Sequence, residues 1–177
     1  MRTDILLPRD NEEQLLEQAE KIGFKQVILL YTHAQKPRIP EKTSITVQTA
    51  CYVEGISSIN KYKKGFDRII GPVQRNFFEN SQTNYLLNQV DDSKRESMHQ
   101  RRSDLDYVMC RLAKEKGKTI IFPVNKLDAK SLGRIMQDAR LCRKHRVKTI
   151  TASLASHPLE MRAPKDLDGY ARMIKLL

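Results

Sequence analysis

Short runs of branched apolar residues alternate with helical patterns along most of this 177-residue chain. Such alternation is typical of βαβ units, in which parallel strands pair within one sheet through right-handed crossovers. Six runs rich in Ile, Leu, Val and Thr are predicted to be strands: Asp4–Leu7, Gln26–Tyr31, Ile45–Val53, Asp67–Gly71, Thr119–Val124 and Thr149–Ser153. The sequence therefore predicts one parallel α/β domain over residues 1–177, a length that suits a single core.

The second of these runs, Gln26–Tyr31, reads QVILLY and is almost continuously apolar. A continuous apolar run is typical of a strand that is buried on both faces of a parallel sheet. The segment that follows, HAQKPRIPEK, contains Pro37 and Pro40, which disfavour helix. We expect an exposed loop there.

The segment Gln74–Arg102 interrupts the alternation, because it is rich in Asn, Gln, Ser, Asp, Lys and Arg and poor in aliphatic residues. We expect a helix within Phe77–Gln89 and a polar, basic insertion exposed to solvent at about residues 78–102. A loop of this length inside a compact domain is usually functional or disordered.

A helix is predicted directly after this insertion, and two arginines, Arg101 and Arg102, precede it. Ser103 is expected to be the N-cap and Gly117 to end the helix. An i, i+3, i+4, i+7 apolar stripe is predicted to face the core: Leu105, Val108, Met109 and Leu112. Because the two arginines lie before the cap and outside the stripe, we interpret them as an arm that contacts phosphates.

The chain is strongly basic, with 32 Lys and Arg against 21 Asp and Glu, a net charge of +11 and a pI near 9.7. Such a charge favours a polyanionic partner such as nucleic acid, and the alternative is a basic surface that is merely solvated. The first 33 residues hold four basic and six acidic side chains, so the basic excess lies after them.

The three cysteines, Cys51, Cys110 and Cys142, are odd in number and widely spaced. This spacing suggests neither a disulfide framework nor a zinc site, and a reducing cytoplasm is the expected location. No apolar run reaches the length of about 20 residues that a membrane span needs, and the chain start lacks a signal-peptide pattern.

Of the four histidines, His33 and His157 are the candidates for hydrolytic chemistry. His33 and His157 each follow a predicted strand, whereas His99 lies in the insertion and His145 lies near a helix end among basic residues. Because the sequence contains neither a His-x-His pair nor an HExxH motif, we assign no metal ligand, no cofactor and no catalytic residue.

From Asp67 onward the chain carries a recognisable series of motifs: DRIIGP, then DLDYVMCRLAKEKG, TIIFPV, a long basic helix, TITAS and RAPKDL. In this order and spacing, Asp67–Leu177 resembles archaeal ribonuclease P protein component 3, the family of the thirty-kilodalton eukaryotic subunit. The family's G-I-D-H-V-L-A-K-L pattern is similar to residues 104–112, and its R-x-P-R-D-L pattern is matched by Arg162, Pro164, Lys165, Asp166 and Leu167.

This resemblance implies a TIM-barrel-like fold related to the polymerase-and-histidinol-phosphatase superfamily. It also implies an RNA-binding subunit that supports the catalytic RNA as 5′ leaders are removed from precursor tRNA. The implied partners are ribonuclease P RNA and other protein subunits, especially the small ferredoxin-like subunit in a heterotetramer, and precursor tRNA indirectly. The chain is short for eight strands and lacks a strand and helix unit before Ile45, and Pro123 lies late in a predicted strand. We therefore expect an abbreviated or incompletely closed parallel barrel.

Clusters of basic residues are the candidate RNA contacts, because rigidly held charges suit the phosphate and 2′-OH contacts by which structured RNA is read. The predicted contacts are Lys61, Lys63, Lys64, Lys94, Arg95, Arg101, Arg102, Lys126, Arg140, Arg143, Lys144, Arg162 and Lys165. Two alternatives stay open at this point. One is a metal-dependent phosphoesterase on a related barrel, and the other is an interaction scaffold that does not contact RNA.

Overall fold

The computed structural model describes residues 3–32, 37–40, 43–89, 105–124 and 129–177. Within them, seven parallel strands form one sheet in which each strand pairs with the next along the chain. The strands are β1 (Thr3–Leu6), β2 (Gln26–Tyr31), β3 (Thr46–Tyr52), β4 (Arg68–Pro72), β5 (Tyr85–Leu87), β6 (Thr119–Pro123) and β7 (Lys148–Ala152).

The first and last strands meet through the residues that follow β7. The backbone N–H of Leu7 donates to the carbonyl of Ala155 at 2.8 Å, and the N–H of Leu154 donates to the carbonyl of Ile5 at 3.0 Å. The sheet therefore curves into a nearly closed barrel with one strand fewer than the eight of a complete (β/α)₈ barrel. The expected abbreviated, TIM-barrel-like parallel fold is confirmed.

The interior of the barrel is filled by small and branched apolar side chains, at least one from each strand. They form one buried cluster: Ile5, Ile28, Leu30, Ala50, Ile70, Leu87, Ile121, Ala152 and Leu154. The alternate residues of β2, Val27, Leu29 and Tyr31, are buried in a second cluster with α1 residues. The prediction that β2 is buried on both faces is thus confirmed.

Helices cover the outside of the barrel. They are α1 (Glu12–Lys21), α2 (Ile59–Tyr62), α3 (Arg75–Glu79), α4 (Tyr107–Glu115), α5 (Ala129–His145) and α6 (Pro164–Met173). In the third apolar cluster, residues of α3 to α6 pack with β-strand residues; Phe77, Cys110, Ala139 and Ala171 are examples. None of the described helices is both long and apolar enough to cross a membrane.

All six predicted strands are present, but the expected helix within Phe77–Gln89 is wrong. Helix α3 ends at Glu79, and Tyr85–Leu87 forms β5, which pairs with β4 on one side and β6 on the other. The turn between them is held by Lys118, whose buried ammonium donates to the carbonyls of Asn80 and Thr83. Residues 78–89 are therefore part of the barrel, and the rest of the expected insertion, residues 90–102, lies outside the described residues.

Helix α4 begins later than predicted. Its N-cap is Asp106, whose carboxylate accepts a hydrogen bond from the backbone N–H of Met109 at 2.7 Å, while Ser103 lies outside the described residues. Three members of the predicted stripe are confirmed, since Leu105 is buried and Met109 and Leu112 pack against the core. The fourth is wrong: Val108 is 46% exposed, and Cys110 and Ala113 are fully buried instead. The tertiary contact with α5 decides which face of this short helix is covered.

Gly117 and Pro123 occupy positions that suit their backbone preferences. Gly117 has a positive φ of 63° just after α4, as predicted for the residue that ends this helix. Pro123 is the last residue of β6, and its carbonyl accepts a hydrogen bond from the Tyr170 hydroxyl at 3.0 Å. A proline at a strand end removes little from the ladder, which explains its presence in the barrel.

Candidate nucleic-acid interface

A groove with basic walls lies between α4 and the end of α5. It has a volume of about 600 Å³, and its lining consists of Arg111, Lys114, Glu115, Lys144, His145 and Arg146. Four of these side chains are cations and one is a carboxylate. The groove therefore presents a strongly positive wall to solvent.

A second groove, of about 560 Å³, runs along α5 itself. Its lining consists of Gly133, Met136, Gln137, Arg140, Leu141 and Lys144. Lys144 lines both grooves, so the two are adjacent. We call the cations of both grooves, Arg111, Lys114, Arg140, Lys144 and Arg146, the α4/α5 track; all five are exposed.

The track is exposed because the opposite faces of its helices are packed. On α5, Ile135, Ala139 and Cys142 are at most 3% exposed, and on α4 Cys110 and Ala113 are fully buried. The 3.6-residue periodicity then places intervening residues such as Arg140 and Lys144 toward solvent.

The two helices are joined at a pair of buried thiols. A hydrogen bond with Cys110, together with burial, raises the pKa of Cys142 far above its ordinary value. The Cys142 thiol therefore stays protonated, and both buried side chains serve as small apolar groups at the helix contact. This contact holds the cations of α4 and α5 on one rigid surface.

Aromatic side chains lie at the edge of the first groove. The ring of Tyr107 contacts the ring of His145 edge-on, with centroids 4.8 Å apart. The guanidinium of Arg111 lies 5.9 Å from the Tyr107 ring centroid, and it also pairs with the Glu115 carboxylate at 3.4 Å. These contacts orient Arg111 without burying its charge.

The structure brings together only some of the predicted RNA contacts. Arg140 and Lys144 lie in the track, and Arg143 is exposed on the same helix but does not line either groove. The other described candidates are exposed elsewhere, at α2 and the turn after it or at the start of α6: Lys61, Lys63, Lys64, Arg162 and Lys165. Five lie outside the described residues: Lys94, Arg95, Arg101, Arg102 and Lys126.

Sequence reasoning missed Arg111 and Lys114 as members of the site. Their i, i+3 spacing on α4, on either side of the buried Ala113, was the available signal. The predicted apolar stripe did not reveal this spacing, because it assigned Val108, three residues before Arg111, to the core. The approach of α4 to the end of α5 is a tertiary feature that local spacing does not encode.

The carboxyl ends of the strands, where related barrels carry their active sites, do not fit a catalytic metal in the described part of the chain. The residues that follow β3, β4 and β6 are Val53, Val73 and Val124. His157 caps a short 3₁₀ turn, since its Nδ1 accepts from the Leu159 N–H at 3.3 Å. No three described His, Cys, Asp or Glu side chains are grouped so that they could hold a metal ion, and His33 lies outside the described residues.

No protein-family model and no curated protein matches the sequence. Solved structures with a similar fold include the following two. A chain of the cryo-EM structure of archaeal ribonuclease P with mature tRNA has a TM-score of 0.72 and 15% identity, covering 98% of this chain and 82% of that one. Histidinol phosphate phosphatase from Lactococcus lactis, in complex with zinc, L-histidinol and phosphate, has a TM-score of 0.61 and 9% identity, covering 98% and 92%. At these identities the likeness concerns the fold, and the chain has a TIM-barrel-like architecture.

Proposed function

We propose that this protein is an RNA-binding subunit of ribonuclease P. The observation that carries the proposal is the likeness in fold, over 98% of the chain and with a TM-score of 0.72, to a chain of an archaeal ribonuclease P complex. The motif series in Asp67–Leu177 supports the same family independently of the fold.

The charge of the protein supports an RNA partner. A net charge of +11 attracts a polyanion over long range, and neutralising phosphates releases condensed counterions. The α4/α5 track shows that part of this charge is presented on a packed scaffold. This concentration of cations counts against the alternative of an interaction scaffold without RNA contact.

The finer assignment follows the sequence resemblance: component 3 of the archaeal enzyme, paired with the small ferredoxin-like subunit in a heterotetramer. A cytoplasmic location follows instead from the odd number and wide spacing of the cysteines. In this proposal the RNA component performs the hydrolysis and the protein stabilises the RNA fold. We therefore expect the isolated protein to leave precursor tRNA intact.

A phosphoesterase is the weaker candidate. The phosphatase likeness supports it only at the level of fold, with the lower TM-score of 0.61. The described residues at the carboxyl ends of the strands supply no group of metal ligands that resembles a zinc site. Stoichiometric bound metal together with phosphate-ester turnover free of RNA would favour this candidate instead.

The proposal is tested by sequencing the RNA that copurifies with the tagged protein from native cells. We expect ribonuclease P RNA to be enriched far above its share of total RNA. A tagged basic protein of similar pI and size, purified in parallel, controls for nonspecific charge. Copurified RNA that merely mirrors total cellular RNA would contradict the proposal.

A further inference from the structure

We infer that the α4/α5 track binds the sugar-phosphate backbone of helical RNA; this inference deepens the proposed function and rests on it. The track gathers five exposed cations along two adjacent grooves that share Lys144. The described carboxylate in the lining, Glu115, is paired with Arg111 at 3.4 Å. The net charge of the lining is therefore strongly positive, as a phosphate-binding surface requires.

The spacing of the cations along α5 suits a repeating anionic chain. Arg140 and Lys144 are four residues apart on one face, which separates them by about 6 Å along the helix axis. Arg146 follows at the end of the helix and lies in the groove with Lys114 of α4. Cations therefore follow one another along α5 to the groove shared with α4, where successive phosphates of one RNA strand can contact them.

Packing beneath the track makes it a rigid surface. Ile135 and Ala139 are at most 3% exposed, and the Cys110 and Cys142 thiols join α4 to α5 below the cations. Binding therefore orders only the side-chain ends and not the helices, which lowers the entropic cost of association.

The aromatic content of the grooves favours helical RNA over unpaired RNA as the ligand. Tyr107 is 53% exposed at the groove edge, but its ring already contacts His145 and Arg111. Among the described residues, neither lining contains Phe, Tyr or Trp, and the one aromatic ring present, that of His145, is already in edge-on contact with Tyr107. Surfaces for unpaired strands use stacking on such rings, whereas helical RNA is bound through phosphates and 2′-hydroxyls. The track therefore fits helical RNA.

The test measures how binding to an RNA duplex of about 16 base pairs depends on salt, a length that spans two successive minor grooves. The track variant is Lys114→Gln/Lys144→Gln. Its matched control is Lys21→Gln/Lys25→Gln, which removes the same charge from two exposed lysines at the end of α1 and before β2. A single-stranded oligouridine of equal length is the second probe, and circular dichroism checks the folding of each variant.

We expect the track variant to bind the duplex more weakly and to lower the slope of log K against log salt by roughly 1.8, at about 0.9 per lost phosphate contact. The control variant should keep the wild-type slope. The wild type should bind the duplex more tightly than the single strand.

Three outcomes would overturn the inference. The first is a folded track variant whose salt dependence of duplex binding has the wild-type slope. The second is an equal decrease of this slope in the track and control variants, which would indicate that the RNA responds to the overall positive charge and not to the track. The third is a track variant that loses an acidic protein partner while its RNA binding is unchanged. If the wild type enriches ribonuclease P RNA from cells but the track variant behaves as wild type on the duplex, the proposed function stands and the inference fails. If ribonuclease P RNA is not enriched with the wild type, the proposed function itself is contradicted.

Discussion

Asp4 accepts hydrogen bonds from both the backbone N–H of Ser153, at 2.7 Å, and the hydroxyl of the same residue, at 2.6 Å. The two residues are 149 positions apart, and Asp4 lies in β1 whereas Ser153 follows β7. A third hydrogen bond to the carboxylate comes from the Ile5 N–H at 2.8 Å. A fully buried carboxyl group therefore joins the first and last strands where the barrel closes.

Asp4 should make stability depend on pH. Burial raises the pKa of Asp4 from 3.8 to about 6, although the hydrogen bonds from Ser153 and Ile5 oppose this rise. Between about pH 4 and pH 6 the folded state then binds more protons than the unfolded state, so stability falls as pH rises through this window. At about 1.4 kcal/mol per pKa unit, the loss reaches up to about 3 kcal/mol.

Asp4→Asn is the variant that isolates this effect, because its side chain has the same shape and does not ionise. We expect its free energy of unfolding, measured by urea denaturation at pH 4 and pH 7, to lack the fall seen in the wild type. Parallel pH profiles for the two proteins would show that Asp4 is not the group responsible.

Gly71 is required by the close approach of α3 to β4. A Cβ atom at this position would lie 2.3 Å from the Phe77 ring, and that ring is fully buried. Gly71→Ala should therefore destabilise the protein by about 1–3 kcal/mol or more through overpacking. Gly169→Ala is the matched control, since a Cβ there meets nothing within 4 Å and an exposed helical Gly→Ala change stabilises by about 0.5–1 kcal/mol. Thermal denaturation should move the two melting temperatures in opposite directions.

Asp106 should stabilise α4 through its side chain. Asp106→Ala removes the acceptor for the Met109 N–H, and we expect a loss of about 0.5–2 kcal/mol in the free energy of unfolding. Asp106→Asn keeps an oxygen acceptor at the N-cap and should retain most of the stability. Equal losses in the two variants, measured by chemical denaturation, would argue for a charge effect and against capping.

Lys118 should be more important for stability than its neighbour Lys116. Lys118 is 3% exposed and donates to the carbonyls of Asn80 and Thr83, which hold the turn before β5. Lys118→Met leaves two carbonyls without this donor, so we expect a loss of about 1–3 kcal/mol. Lys116→Met removes an exposed donor to the Glu79 carbonyl and should cost less. Hydrogen exchange of β5 amides should increase in the first variant and stay near wild type in the second.

The sequence by itself determined the parallel α/β class and the position of six strands. Those features are encoded locally, since a buried strand such as Gln26–Tyr31 must be apolar along its whole length. The basic face of α5 was also readable from Arg140 and Lys144, because helical periodicity separates exposed from buried positions. The local pattern of apolar residues is sufficient to predict a strand or a helix face wherever the segment is long enough to show a period.

Only the tertiary structure decided the features that depend on distant partners. β5 has three residues, Tyr85–Leu87, which are too few for a period, and it is a strand because β4 and β6 offer hydrogen bonds on both sides. The α4/α5 track also depends on tertiary contact, because the packing of α4 against α5 brings Arg111 and Lys114 beside Lys144. Barrel closure through Asp4 and Ser153 joins residues at opposite ends of the chain, and a local pattern carries no information about which distant groups will meet.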